Sequence, residues 1–204
     1  LSTSGETDLT DLFGPLLPCC VHFDPPFCYR CPYGKDGYRG CDLACAQALE
    51  DKIQAEGPET AAALIIEPVM GDFGVVAGPD EYYTRLGEIC RRYGLLLIAD
   101  EVTTGFGRTG KPFASQDWNP QPDILCLGKA LTNGYFPMSA ALATRAVYER
   151  FLGKGRQFPH GVTHGGHPVG CAVGLATIDI IFKENLPENS ARVGAYLKSR
   201  LELM

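Results

Sequence analysis

The strongest structural signal in the chain is a pair of apolar runs, Leu95-Leu96-Leu97-Ile98-Ala99 and Ile124-Leu125-Cys126-Leu127. Each run is continuous rather than alternating, which is typical of a strand buried on both faces of a parallel sheet. The first run ends in Asp100-Glu101, and the second ends in Gly128-Lys129. Because ligands bind beyond the carboxyl ends of such strands, we expect Asp100 and Lys129 to face one site.

Helices and strands alternate along the rest of the chain. Helical patterns cover 42–56, 79–93, a segment opening at Pro168, and 187–204, and further strands are predicted at Ala61–Glu67 and Met138–Ala143. Loops are predicted at 71–78, 103–122 and 153–167. Residues 1–40 contain five prolines and five glycines, so we expect a long Pro/Gly/Cys-rich loop there. The alternation predicts an α/β fold with a mostly parallel sheet and helices on both faces.

Composition excludes several kinds of partner and environment for this chain. The 204 residues carry a net charge of -6, which argues against a nucleic-acid partner or an anionic membrane surface. No apolar run approaches the roughly 18–20 residues of a membrane span. The nine cysteines are odd in number and do not resemble a secreted disulfide scaffold. We therefore expect a cytoplasmic protein.

An acid and a lysine at the tips of neighbouring strands are the pair that a pyridoxal phosphate enzyme needs. Lys129 would hold the cofactor aldehyde as a Schiff base, and Asp100 would face the pyridinium nitrogen and keep it protonated. Taken singly, each has a plainer interpretation. Asp100 can cap a neighbouring loop, and Lys129 can be an ordinary surface lysine.

Four motifs follow one another along the chain: Ile66-Glu67-Pro68-Val69, Asp100 to Gly110 (DEVTTGFGRTG), Leu127-Gly128-Lys129 and Thr163-His164-Gly165-Gly166-His167-Pro168. On these motifs the sequence resembles the class III aminotransferases, the pyridoxal phosphate group that includes omega-amino acid and amine:pyruvate transaminases. The resemblance covers essentially all 204 residues. It implies fold type I, with residues 1–204 as the central part of the large cofactor-binding domain, incomplete at both ends. Helix 187–204 would then lead toward a small C-terminal domain.

The resemblance also implies roles for individual residues. Lys129 and Asp100 would be catalytic and bind the cofactor, and Lys129, partly buried, would move the proton during the reaction. Val102 would pack against one face of the cofactor ring, although an ordinary core valine fits the same pattern. Thr163 would bind the cofactor phosphate of the neighbouring subunit, with a structural loop threonine as the alternative. Glu67 would lie near the substrate, with a plain ion pair as the alternative.

The reaction expected from the resemblance is a transamination. An amino group would pass from an amine or omega-amino acid to a keto acid such as pyruvate or 2-oxoglutarate, in a homodimer with shared active sites. A dialkylglycine-type decarboxylase or aminomutase would keep the cofactor but change the reaction. An inactive aminotransferase fragment is the alternative from a different class.

Two further features carry expectations of their own. We expect Arg108 to order the loop after Asp100 through hydrogen bonds. The four thiols of Cys28, Cys31, Cys41 and Cys45 are spaced in two pairs that can form a zinc site, but free thiols and no metal are the favoured interpretation.

Overall fold

The computed structural model describes residues 2–34, 41–72 and 74–204. In chain order the helices are α1 (Thr7–Phe13), α2 (Ala44–Glu56), α3 (Asp80–Tyr93), α4 (Arg145–Glu149), α5 (Pro168–Lys183) and α6 (Leu186–Leu201). The strands are β1 (Ala63–Ile66), β2 (Val69–Met70), β3 (Val76–Ala77), β4 (Leu96–Asp100), β5 (Ile124–Leu127) and β6 (Ala140–Ala143). No helix in these ranges is long and apolar enough to cross a membrane.

The main sheet has the strand order β1-β4-β5-β6. Strands β1, β4 and β5 run parallel, and β6 pairs antiparallel with β5. The predicted α/β fold with a mostly parallel sheet is therefore confirmed. The loop predicted at 71–78 is interrupted by β3, which pairs antiparallel with β2 in a short hairpin. This pairing takes only two residues from each strand, which is too short for a periodic sequence pattern.

The main hydrophobic core lies between the sheet and helices α2 and α3. Leu64 and Leu97 are paired in register and are 6% and 2% exposed. They join a cluster with the buried faces of the two helices. A second cluster packs Leu127 of β5 against Ile181 of α5. On the opposite face of the sheet, Ile65 and Leu96 stay 39% and 36% exposed, so that face is more open.

Helix α3 shows why these segments fold as they do. Its stripe of Tyr82, Leu86 and Ile89 is almost completely buried. Asp80 lies in its first turn and Arg91 in its last, which suits the helix dipole at both ends. Gly94 then takes φ +70 and ends the helix, a conformation that side chains with a Cβ avoid. The chain turns directly into β4, so the end of α3 helps to place Asp100.

The N-terminal segment is more ordered than predicted. The loop expected over 1–40 is interrupted by α1 and by a 3-10 turn at Cys28–Arg30. Residues 6–13 contain neither proline nor glycine, so nothing in them prevents two helical turns. Residues 35–40 lie outside the described residues. At the other end, α6 matches the predicted helix 187–204, and Pro187 lies in its first turn, where proline is tolerated.

Candidate active site at the carboxyl edge of the sheet

Three polar residues meet where the parallel strands end. Glu67 follows β1, Asp100 is the last residue of β4, and Lys129 comes two residues after β5. The register of the parallel strands, with Ile66 opposite Ala99 and Asp100 opposite Cys126, brings the three residues to one edge of the sheet. Burial raises the pKa of the Glu67 carboxyl, the charge of Asp100 adds to the rise and that of Lys129 opposes it. The structure thus brings together the residues that the sequence predicted at one edge.

The carboxylate of Asp100 is half-buried and oriented by its own chain. Its Oδ1 accepts a hydrogen bond of 3.0 Å from the Val102 amide. Cys126 is its partner in register on β5. Burial raises the pKa of the Cys126 thiol, and the charge of Asp100 adds to the rise. Among the described residues the Val102 amide is the only hydrogen-bond donor to this carboxylate, so Oδ2 can accept a further donor.

Lys129 lies in a strained turn. Its φ is +39, an unfavourable value for a residue with a side chain, and it begins a 3-10 turn over Lys129–Leu131. Strain of this kind is found mostly at functional sites, where the surroundings hold it. Its Nζ donates a 2.8 Å hydrogen bond to Thr103 Oγ1. Lys129 is exposed beyond the strand end, and its partial burial beside a bound cofactor stays a prediction.

Val102 lies beside the lysine turn. A Cβ added at Gly128 would be 3.4 Å from Val102 Cγ1, so the valine side chain is in contact distance of the backbone before Lys129. The side chain is only half-buried, unlike the valine of a closed core. This position leaves an apolar surface at the site between Asp100 and Lys129.

Glu67 is half-buried and accepts a 3.3 Å hydrogen bond from the Gly71 amide. Burial raises the pKa of its carboxyl, and the negative charges of Asp100 and Asp72 raise it further. The Gly71 hydrogen bond and the charge of Lys129 oppose that rise. No ion pair involving Glu67 occurs in the described part of the chain, so the plain ion-pair alternative has no support there.

Glu101 is the site residue that sequence reasoning missed. It is 0% exposed. Its Oε2 accepts hydrogen bonds from the Thr104 hydroxyl at 2.5 Å and the Ala114 amide at 3.1 Å. Its Oε1 accepts from the amide and hydroxyl of Ser115 at 2.7 and 2.6 Å. The available signal in the sequence was a second acid directly after the strand-end aspartate. A charged residue at the end of a buried strand needs hydrogen-bond partners, because charged residues are seldom buried without them.

The four hydrogen bonds of Glu101 close the loop that begins after Asp100. The expectation that Arg108 orders this loop is therefore wrong. The guanidinium of Arg108 makes no hydrogen bond within the described ranges, and only its carbonyl is engaged, by the Ser190 hydroxyl at 2.9 Å. The buried acid can accept several donors at once, whereas the exposed arginine has solvent as its alternative partner.

Thr163 is not joined to Asp100, Val102 or Lys129 by any hydrogen bond in the described part of the chain. It is exposed, in a turn of the 153–167 loop that leads into α5. A threonine bound within a closed loop would be less accessible. The structure thus leaves its hydroxyl available to a group outside this chain.

The four cysteines proposed as an alternative metal site do lie together. Cys28, Cys31, Cys41 and Cys45 line one small cavity of about 10 Å³. Burial raises the pKa of the Cys45 thiol to about 11, which opposes the thiolate form that zinc requires. All nine cysteines are unpaired. No group of His, Cys, Asp and Glu suited to a metal ion is found among the described residues, so the zinc alternative has no support there.

The donor set fits pyridoxal phosphate. A primary amine (Lys129) and a carboxylate with an open oxygen (Asp100 Oδ2) flank the apolar side chain of Val102. These are the three groups needed to hold an aldehyde, a ring N–H and a ring face. The amine has a hydroxyl partner rather than a salt bridge, so no carboxylate has to be displaced before it reacts.

Comparison with known proteins gives the same family throughout. The family model described as aminotransferase class-III matches residues 1–204. The chain is 40% identical to the adenosylmethionine-8-amino-7-oxononanoate aminotransferase of Geobacter sulfurreducens, covering 100% of the chain and 46% of that protein. It is 41% identical to the diaminobutyrate–2-oxoglutarate transaminase of Halomonas elongata (98% and 44%). It is 34% identical to the omega-amino acid–pyruvate aminotransferase of Pseudomonas putida (98% and 46%).

A solved structure agrees with these sequences. An amine transaminase from an uncultivated Pseudomonas species, in its PLP-bound form, superposes with a TM-score of 0.90 and 43% identity. The match covers 96% of this chain and 45% of that one. The chain thus spans a little less than half the length of the relatives it matches, and its architecture is that of fold type I. The chain belongs to the class III aminotransferase family.

Proposed function

We propose that this chain supplies the catalytic lysine and aspartate of a pyridoxal phosphate-dependent transaminase. The observation that carries the proposal is the meeting of Asp100, Glu67 and the strained Lys129 at one edge of the sheet. The substrates are an amine or omega-amino acid and a keto acid such as pyruvate or 2-oxoglutarate. Relatives named for these two keto acids support that choice, and the relatives do not favour a decarboxylase.

When bound, pyridoxal phosphate supplies an aldehyde that takes up an amino group and a ring that delocalises the electron pair left on the substrate carbon. Asp100 would hold the ring N–H and keep that proton on the nitrogen. Val102 would pack against one face of the ring and exclude water there. Lys129 Nζ would take the proton from the substrate carbon and deliver it to the carbon of the cofactor's aldehyde group, which is the proton shift that amino transfer requires.

Glu67 contributes to the substrate side of the site. Its carboxyl lies close to Asp100 and Lys129, and burial already raises its pKa. A positive group of the substrate or of the protein that approached it would be stabilised by pairing with a half-buried carboxylate. We therefore assign it to substrate binding rather than to proton transfer.

Thr163 serves the neighbouring subunit in a homodimer with shared active sites. Its hydroxyl is exposed, and the loop ends at the N-terminus of α5, where amide groups favour a phosphate. A second copy of the chain then completes each site. We also propose a cytoplasmic location, because the odd number of cysteines suits a reducing compartment.

The assignment of Lys129 is tested by chemical fixation. The full-length protein, purified with its cofactor, should be yellow, and borohydride should attach the cofactor to the peptide containing Lys129. Lys129→Ala should abolish both the label and amino transfer, while the exposed Lys154→Ala should change neither. A label on another lysine would disprove the assignment.

The dimer is tested separately. Thr163→Ala should weaken cofactor retention while Lys129 still becomes labelled at saturating cofactor. Sedimentation should show a dimer at the concentrations at which the site is filled. A monomer that retains its full complement of cofactor would contradict the cross-subunit role.

A further inference from the structure

Thr103 is the partner of the lysine amine. It lies three residues after Asp100, in the loop that Glu101 closes, and its Oγ1 accepts the 2.8 Å hydrogen bond from Lys129 Nζ. The side chain is half-buried although it contacts an exposed lysine. Neither the family match nor the names of the relatives assign it a role.

The position of the Thr103 hydroxyl is fixed from three sides. On one flank, the Val102 amide is held by Asp100 Oδ1 at 3.0 Å. On the other, the Thr104 hydroxyl is held by the buried Glu101 carboxylate at 2.5 Å. Above it, a Cβ at Gly71 would come within 3.0 Å of Thr103 Cγ2 and 3.4 Å of its Oγ1. A side chain at position 71 would therefore crowd Thr103 and push it from this position.

The Lys129 side chain, unlike that of Thr103, is mobile. It has four rotatable bonds and is exposed. Ordering such a side chain costs rotamer entropy. A β-branched threonine is stiff about χ1, so its hydroxyl is a preorganised partner for a mobile amine.

The hydroxyl also suits both charge states of that amine. It accepts a hydrogen bond from the ammonium form and donates one to the lone pair of the neutral form. A carboxylate at the same place would stabilise only the ammonium form. A group that alternately takes and gives a proton therefore keeps its position in both states when its partner is a hydroxyl.

We propose that Thr103 is a positioning residue that holds the Lys129 amine in reach of the substrate carbon whenever that amine is not bonded to the cofactor. The proposal rests on the proposed transaminase function. It adds that the loop closed by Glu101 positions both catalytic groups. The Val102 amide binds Asp100, and the Thr103 hydroxyl binds Lys129.

Three substitutions test the role of the hydroxyl. Thr103→Val keeps the shape and loses the hydroxyl, Thr103→Ala loses both, and Thr103→Ser keeps the hydroxyl. Thr144→Val is the matched control, since Thr144 makes no side-chain cap at α4. Valine and alanine should slow kcat about tenfold, the value of one hydrogen bond, with KM for the amine little changed. Serine should return kcat to within about twofold of the parent protein, since it restores that bond.

Two measurements separate positioning from a structural effect. With an amine deuterated at the reacting carbon, the isotope effect on kcat should rise in the valine and alanine variants and not in the serine or Thr144 variants. The rate at which cofactor-free protein takes up pyridoxal phosphate into the borohydride-fixable form should fall in the same two variants. This second measurement does not depend on turnover.

The outcomes are distinct. If serine is as slow as valine, or if valine is as fast as the parent protein, the role of the hydroxyl is wrong while the proposed function stands. If alanine is normal and valine is slow, the effect is steric and the proposal is again wrong. If the parent protein shows no label at Lys129, the proposed function is wrong and this proposal with it.

Discussion

Replacing Glu101 by glutamine removes the charge from a carboxylate that is 0% exposed and changes almost nothing in its size. The carboxylate accepts two hydrogen bonds at each oxygen. At each oxygen one donor is a hydroxyl, which can rotate and accept instead. The other donor is a backbone amide, of Ala114 or of Ser115, and cannot reverse.

The size of the effect follows from this pairing. Whichever end of the glutamine carries the NH2 group, it faces one backbone N–H, the buried one of Ser115 or the part-buried one of Ala114. That N–H is left without an acceptor, at a cost of about 1–3 kcal/mol. The remaining hydrogen bonds lose their charge assistance and weaken. The neutral amide is easier to bury than the carboxylate, which offsets part of this loss. We expect Glu101→Gln to lower the free energy of unfolding by about 2–3 kcal/mol.

The assay is urea denaturation of the full-length protein at neutral pH, with native-state trypsin cleavage after the exposed Arg108 as a local probe of the loop. Glu149→Gln is the control, since the Glu149 side chain is 52% exposed and pairs with the exposed Arg145. Its effect should stay within about 0.5 kcal/mol. The reasoning fails if Glu101→Gln costs no more than this control and cleavage of the loop is not faster.

Three further outcomes concern stability. Leu97→Ala, at a position 2% exposed, should lower the free energy of unfolding in urea by about 2–5 kcal/mol. Leu142→Ala, at a position 48% exposed, should lower it by about 1 kcal/mol or less. Equal effects of the two substitutions would contradict the described core. Gly94→Ala should cost about 1–2 kcal/mol because alanine must adopt φ +70, and an unchanged unfolding midpoint would refute this. Burial raises the pKa of Glu67 above its ordinary 4.5, so the folded state binds that proton more tightly than the unfolded state does. Folding therefore loses stability as the pH rises from 4.5 through the pKa of the folded state. Glu67→Gln should therefore gain stability over the parent protein at neutral pH and none below about pH 4, and a gain that is the same at both pH values would be inconsistent with the shift.

Much of the sheet was predictable from local patterns. The runs at Leu95–Ala99 and Ile124–Leu127 are continuous and apolar, and strands form there over Leu96–Asp100 and Ile124–Leu127. The hairpin of β2 and β3 and the helix α1 were missed. Each is short, and α1 buries none of its residues, so neither has a periodic hydrophobic face to detect.

The local sequence was enough to place Glu67, Asp100 and Lys129 at one edge, because parallel strands align their carboxyl ends. Other parts of the site depended on contacts between residues far apart in sequence. Glu101 reaches Ala114 and Ser115, and Thr103 meets Lys129 across 26 positions. The strand pattern predicts the position of Glu101 in the sequence. Its hydrogen-bond donors, however, are set by how the loop after it folds back onto the strand end. The sequence was therefore enough to predict the reactive groups and their shared edge. The hydrogen bonds that hold these groups in position depend on the tertiary structure.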